Sequence, residues 1–374
     1  MASVIAGMVI VMLSAGSLLN LSRSPHWFVR GWDFPRVQVL VMTLGALLVY
    51  IGARGLPLYP AALEQWRPWD WGLTASAILT SVWHASHIWA YTPLARRQVV
   101  DARNWVDSQA IRIVVSNVEM ENDATSHWSR VILEARPDVL IAVEVDTNWM
   151  ERISHLRRQF KYEVAYPQSN WYGMVVLSNL PLSDGAVRFL VQDDVPSVHA
   201  FVDLPSGQKV RLVAVHPRPP EPIRDVDARH RNAELVLIAK ELDGGMPAIV
   251  GGDLNDVAWS STTRLFLRLS KLLDPRRGRG FFNTFHAKHR WFRFPLDHIF
   301  HSRHFTLRRI ERLRQVGSDH FPMLIELQFE PDKISEQPAM EKGENDEDFA
   351  EEILKEEVEG EEQRESPEGV AARG

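Results

Sequence analysis

Three long apolar runs occupy the first quarter of the chain. None of residues 4–21, 37–53 and 71–94 is Asp, Glu, Lys or Arg, and each run is close to the roughly 20 residues that a helix needs to cross a bilayer core. No Lys or Arg precedes the first run, which argues against a secretory leader. The short connections carry Trp27, Trp32, Trp66 and Trp69, aromatics of the kind that collect at a membrane interface. The pattern predicts three transmembrane helices within residues 1–95 and a multi-pass protein of the cell (inner) membrane, in direct contact with the lipid bilayer. A buried, soluble helical bundle is the competing explanation. His84 and His87, three apart on the third run, are expected to face the bundle interior or the interface.

The period then changes. Residues 111–115, 139–143, 174–177, 210–215 and 248–250 are short β-rich runs of the buried-strand type, while 126–135 and 229–242 have helical spacing and 149–159 has it more weakly. Alternation of this kind predicts an α/β domain with layered sheets over residues 110–330, joined to the apolar region by a linker at 96–109. From residue 331 to the end, sixteen acidic side chains face five basic ones, a charge of −11 against −6 for the whole chain, so the preceding residues carry +5. Too little apolar surface accompanies that charge to offset the entropy of ordering. Residues 331–374 are therefore expected to be an acidic disordered tail with a transient helix near 349–358, its protein partner unknown. The chain has no cysteine, which excludes disulfides, thiolate metal sites and a cysteine nucleophile.

Polar side chains recur at the ends of the expected strands. Asn117 follows the first in IVVSNVE and Glu144 ends the second in PDVLIAVEVD; an oxygen donor such as Glu suits a hard cation. In GGDLND, an apolar strand meets two glycines and then Asp253 and Asn255, which alternate and so can point to one side; capping of a following helix is the bland alternative. GSDHFP places Asp319 beside a titratable His320. FPLDHIF sets Asp297 in an apolar run, where a carboxylate is costly unless paired. A buried Asp–His pair would orient the imidazole and favour its charged form.

In this order, the motifs resemble the endonuclease/exonuclease/phosphatase superfamily over roughly residues 110–329. The resemblance implies a two-layer β-sandwich flanked by helices and cleavage of phosphoester bonds with Mg²⁺ or Mn²⁺. It implies a metal site at Asn117, Glu144 and Asp319, with Glu144 the principal ligand. It further implies that Asp253 positions or deprotonates the attacking water, that Asn255 contacts the phosphoryl group, and that His320, with Asp297 as its partner, binds or protonates a phosphate oxygen. His216, in LVAVHPRPP, matches a second phosphate-facing position. Its prolines and the next helix resemble the bacterial membrane-tethered branch. Asn170 and Ser178 are expected only to support the site.

The substrate is less determined. Residues 274–297 combine Arg276, Arg277, Arg279, Lys288, Arg290 and Arg293 with Phe and Trp, a mixture that suits nucleic-acid strands and anionic lipid surfaces alike. Tethering raises the local concentration of a membrane substrate, so a phosphate-bearing lipid or lipid-linked substrate is preferred, with a DNA or RNA nuclease and a non-catalytic membrane scaffold as alternatives. The positive-inside rule, applied to Arg23, Arg30, Arg36, Arg96, Arg97 and Arg103 against Arg54 and Arg67, favours a cytoplasmic catalytic domain. The membrane branch it resembles favours the extracytoplasmic side, and the two stay open.

Overall fold

The computed structural model describes residues 1–55, 66–103, 105–220, 227–242 and 245–365, the side chains of 361–365 excepted. The apolar runs form α1 (Ala2–Leu18), α3 (Arg36–Arg54) and α4 (Pro68–Ile88), with a short α2 (Trp27–Gly31) in the first connection. Small and aromatic side chains pack between the three long helices, among them Ala6, Ile10, Leu47, Tyr50 and Ala77. Their outer faces carry Val4, Met8, Val11, Val41, Leu48, Leu79 and Val82, all exposed, the reverse of a soluble helix. Two helices, Ala2–Leu21 and Arg36–Arg54, are long and apolar enough to cross a membrane. This corrects the expected three. The third helix has the length, but Asp70, two histidines and a row of Ser and Thr lower its apolarity. His84 does face the interior, where its Nε2 lies 2.8 Å from Ser17 Oγ.

Among the described residues, eleven strands build two stacked sheets. The first comprises β1 (Ala110–Asn117), β2 (Val139–Val143), β3 (Tyr162–Tyr166), β4 (Met174–Ser178), β10 (Phe305–Arg312) and β11 (Met323–Phe329), ordered β10-β11-β1-β2-β4-β3. The second comprises β5 (Leu182–Arg188), β6 (Ser197–Asp203), β7 (Lys209–Val215), β8 (Ala248–Asp253) and β9 (Asp297–His301), in sequence order. Alternate side chains of the two inner faces, such as Ile113, Val115, Ile141, Leu212 and Ile249, form the central core. The outer face of the first sheet is covered by α5 (Thr125–Ala135), α6 (Thr147–Arg152) and α7 (Ser154–Arg157). That of the second is covered by α8 (Arg229–Glu241) and α9 (Ser261–Ser270). The expected helix at 149–159 is thus two short ones.

Only two neighbouring pairs run parallel, β1–β2 and β7–β8. Their carboxyl ends lie together and carry Asn117, Glu144, His216 and Asp253. The first interhelical connection and the turn after α4 dock beside them: Trp259 Nε1 donates to Asp33 O at 2.7 Å, Ala228 N to Pro25 O at 2.8 Å and Tyr91 Oη to Ala258 O at 2.6 Å.

The acidic tail departs from expectation. Residues 346–365 form α10 (Asp346–Glu365), whose Ala350 and Ile353 bury against Ala233, Val236 and Leu265. Arg268 grips Asp346 through two hydrogen bonds of 2.6 and 2.8 Å, and His230 Nδ1 meets Glu357 at 2.5 Å. The helix orders because its carboxylates find basic partners on α8 and α9 while Ala350 and Ile353 share the face that packs on them. Residues 366–374 lie outside the described residues.

Candidate active site

The eight side chains singled out in the sequence come together at one end of the sandwich. Glu144, His216, Asp253, Asn255, Asp319 and His320 line one cavity of about 800 Å³, and Asn117 and Asp297 support its floor. Asn117 Nδ2 donates to Glu144 Oε1 at 2.7 Å and to Asp253 Oδ2 at 3.0 Å, linking the two sheets. Asp253 and Asp297 are directly opposed in the β8–β9 register, and His320 bridges them: Nδ1 donates to Asp297 Oδ2 at 2.7 Å, while Nε2 lies 3.6 Å from Asp253 Oδ2. His216 Nε2 lies 3.9 Å from the same oxygen. Asn255 N donates to Asp253 Oδ1 at 2.9 Å and its side chain to Pro217 O at 3.0 Å, so the amide expected on a phosphoryl group is here partly engaged by the β7 turn.

Backbone geometry is sacrificed to reach this arrangement. Glu119, Glu144, Trp171 and Asn255, all lining the cavity, have φ between 50° and 70° and are four of the eight non-glycine residues with positive φ among those described. Such strain concentrates where a constellation must be held against local preference. Gly252 has φ +152°, and a Cβ there would meet Val215 O at 1.8 Å, so only glycine allows β8 to approach β7 where His216 and Asp253 converge.

Burial and charge divide the protons. Burial would lower the pKa of His320, but Asp297 and Asp253 overcome it and push it up to about 10. Burial would raise Asp253, yet His320 and His216 hold it below the ordinary carboxyl value. His216, buried with no carboxylate in hydrogen-bond contact, falls to about 4 and is neutral. Asp297 is raised by burial against the opposing pull of His320, and Asp319 is raised by burial too. Burial lifts Glu144 to about 7 although Asn117 donates to it. The floor therefore offers an imidazolium, a neutral imidazole and a carboxylate within one cavity.

Two groups of donors could hold a cation. Donor atoms of Asp253, Asp297 and His320 lie within 4.8 Å of one another, but a protonated His320 engaged by Asp297 is a hydrogen-bond donor and not a ligand. Glu144 and Asp319 present carboxylate oxygens towards the cavity, which fits Mg²⁺ or Mn²⁺, while Asn117 turns Nδ2 to Glu144 and Asp253 and its Oδ1 accepts from Glu119 N, so it positions Glu144. Burial is what raises Glu144, against the pull of Asn117 and His320.

Sequence reasoning overlooked several contributors. Glu119 Oε2 accepts from Asp319 N at 2.9 Å and from Lys288 Nζ at 2.7 Å, fixing the loop before His320; its position two after Asn117 was a usable signal. Ser318 Oγ donates to Asn117 O, and Thr284 Oγ1 accepts from Asp297 N. Tyr172 lies 5.4 Å from the His216 ring, its own backbone held by Asn170. Ser178 closes the β4 turn on Leu180. Trp27, Phe34 and Pro35, from the first interhelical connection, form part of the cavity wall, which depends on docking and leaves no local signature.

The basic segment needs correction. Arg276 is buried and bonded to Asp274 and His298; Arg277 reaches Met340, Arg279 pairs with Asp101, and Arg293 binds the carbonyl of Ala287. Five of its six cations are engaged, Lys288 by Glu119 although it is exposed, and Arg290 is exposed.

Several solved structures resemble the chain. An endonuclease/exonuclease/phosphatase from Beutenbergia cavernae DSM 12333 is 16% identical, with 59% of this chain and 72% of that one covered and a TM-score of 0.48. One from Bacteroides vulgatus is 17% identical, covering 59% and 99%, at 0.49. D. rerio TDP2 complexed with single strand DNA product is 15% identical, covering 59% and 99%, at 0.49. No curated protein matches. The model of the Endonuclease/Exonuclease/phosphatase family matches residues 114–320, more than half of the chain, and the chain belongs to that family, whose members are typically hydrolases acting on phosphate esters.

Proposed function

We propose that this chain is a membrane-anchored, divalent-metal-dependent hydrolase that cleaves the phosphate ester of a lipid or lipid-linked substrate. One observation carries the substrate class: the cavity holding Glu144, Asp253 and His320 takes its outer wall from Trp27, Phe34 and Pro35, between two helices apolar enough to cross a membrane. A phosphate group on the polar floor would have its apolar remainder against that aromatic wall, close to where α3 begins. The nuclease alternative loses support because most of the basic segment is tied up internally.

The residues divide the work as follows. Asp253, kept ionised, accepts a proton from water at Oδ2 and orients it for in-line attack. His320, kept protonated by Asp297, faces the same place and stabilises negative charge growing on a phosphoryl oxygen. His216, neutral, is a hydrogen-bond donor to a second oxygen. Glu144 and Asp319, with Asn117 positioning Glu144, would hold Mg²⁺ or Mn²⁺, which when bound supplies Lewis-acid stabilisation of phosphoryl charge. Tyr172 and Phe285 exclude water from around the two histidines.

The test is a substrate panel. Detergent-solubilised full-length protein with Mg²⁺ or Mn²⁺ is given phospholipids, polyprenyl phosphates, plasmid DNA and RNA, with Glu144→Gln as control. Phosphate release from lipids that the control lacks is expected; cleavage of nucleic acid alone overturns the substrate assignment.

A further inference from the structure

We propose that residues 286–293 form an interfacial anchor that seats on the headgroup layer of an anionic phospholipid bilayer. This rests on the membrane-anchored reading above. Trp291 is 83% and Phe292 65% exposed, the two most exposed large apolar side chains among the described residues of the sandwich. Their exposure is built in. The loop is pinned by His286 N to Phe292 O at 3.0 Å, by Arg293 Nη2 to Ala287 O at 3.0 Å and by the Arg293 guanidinium over the Phe321 ring. A rigid segment that holds two aromatics in water loses the free energy of their burial unless something apolar covers them.

Position and charge identify the cover. Gln38, in the first turn of α3, donates from Nε2 to Trp291 O at 2.9 Å, and Val41, three residues on, begins the exposed apolar face of that helix. Trp291 thus sits where the apolar surface of a candidate span starts, the level at which tryptophan is favoured in a bilayer. His289 and Arg290 are exposed beside it, and Lys288 follows at the rim, a basic and aromatic combination suited to anionic headgroups. The loop also reaches the chemistry. Phe292 lines the cavity, and Lys288 binds the Glu119 that holds Asp319 N. Seating the loop on lipid would turn the cavity mouth towards the bilayer.

The chain has no cysteine, so single-cysteine variants report position cleanly. His289→Cys, Leu48→Cys on the outer face of α3, and Ser206→Cys at the far end of the sandwich are each labelled with a fluorophore. Each is placed, as full-length protein, in phosphatidylglycerol/phosphatidylcholine nanodiscs whose lipids carry quenchers both at the headgroup and along the acyl chain. Loss of emission at 289 and 48 but not at 206 is expected, with the loss at 289 reduced when Trp291→Ala is added. Quenching at 48 with 289 behaving like 206 overturns the anchor and leaves the membrane reading standing; no quenching at either removes both. A response at 289 to a single-stranded oligonucleotide in place of lipid also overturns the anchor, assigning the loop to nucleic acid.

Discussion

His320 Nδ1 donates to Asp297 Oδ2 across 2.7 Å in a fully enclosed pair whose remaining carboxylate oxygen, Asp297 Oδ1, has no hydrogen-bond partner among the described residues. The carboxylate holds the imidazole's orientation and its proton, lifting His320 from 6.5 to about 10. Because the folded value is raised, the stability this histidine contributes is full below about 6.5, declines as pH rises and is gone above about 10. Activity that depends on imidazolium should share that alkaline limit. Asp297→Asn removes the ion pair and is expected to move the alkaline limb of the kcat/KM profile to lower pH and to cut kcat by about 100-fold or more. An unmoved limb would mean that Asp297 does not govern the proton on His320.

Glu144 stands in a conflict between stability and chemistry. Its carboxyl is lifted to about 7 by burial, so in the absence of a cation the charged form is disfavoured. Glu144→Gln keeps the shape and an oxygen facing Asn117 while discarding the charge. The expected outcome is loss of Mn²⁺ binding by calorimetric titration and a fall in turnover of about 100-fold or more, with a metal-free melting temperature equal to or above that of the parent. A destabilised variant, or one that binds Mn²⁺ as before, would show that the carboxylate is structural.

Much of this site was legible because its residues sit at strand ends, where apolar runs stop and a polar residue follows. The runs before Asn117, Glu144, His216 and Asp253 are continuous and β-branched, so a parallel pair buried on both faces is their natural setting. The edge strands were not legible, since β3 and β5 are half-exposed and mixed in character. Glu119 and Thr284 escaped notice because their roles lie in hydrogen bonds between distant segments. The helix built on the third apolar run shows the limit of composition: it starts before the run, and its Asp70 is buried against Arg54 of the neighbouring helix, a pairing that only the packed bundle reveals. The acidic tail fails for the same reason, since its charge looked disordering until its basic partners on α8 and α9 were in place.

Phe34 offers a separation of binding from chemistry. It lines the cavity and packs edge-on against Phe294 at 5.5 Å. Phe34→Ala should lower kcat/KM for a phosphate ester with a long hydrocarbon chain by about 10-fold or more, mainly through KM, as removal of apolar pocket surface does. Hydrolysis of a small water-soluble aryl phosphate should be unchanged. Equal losses on both substrates would indicate that the substitution distorts the floor, and the apolar-wall assignment would fail.

The docked acidic helix makes a prediction opposite to that of a free tail. Removing residues 345–374 uncovers Ala233, Val236 and Leu265 and leaves Arg268 without its bidentate partner Asp346. The apolar area and the charge-assisted bonds together suggest a loss of about 2 kcal/mol, or about 4–8 °C in melting temperature for a domain of this size. Ile353→Asp in the full chain should reproduce much of that loss, because it puts a charge into the same contact with all other carboxylates present. High salt should weaken the Arg268–Asp346 pair and the 3.7 Å Lys240–Glu347 pair but leave the apolar contact in place, so the truncated and full-length proteins should still differ in 1 M NaCl. Identical melting curves for the two at low salt would mean that the helix does not dock in solution.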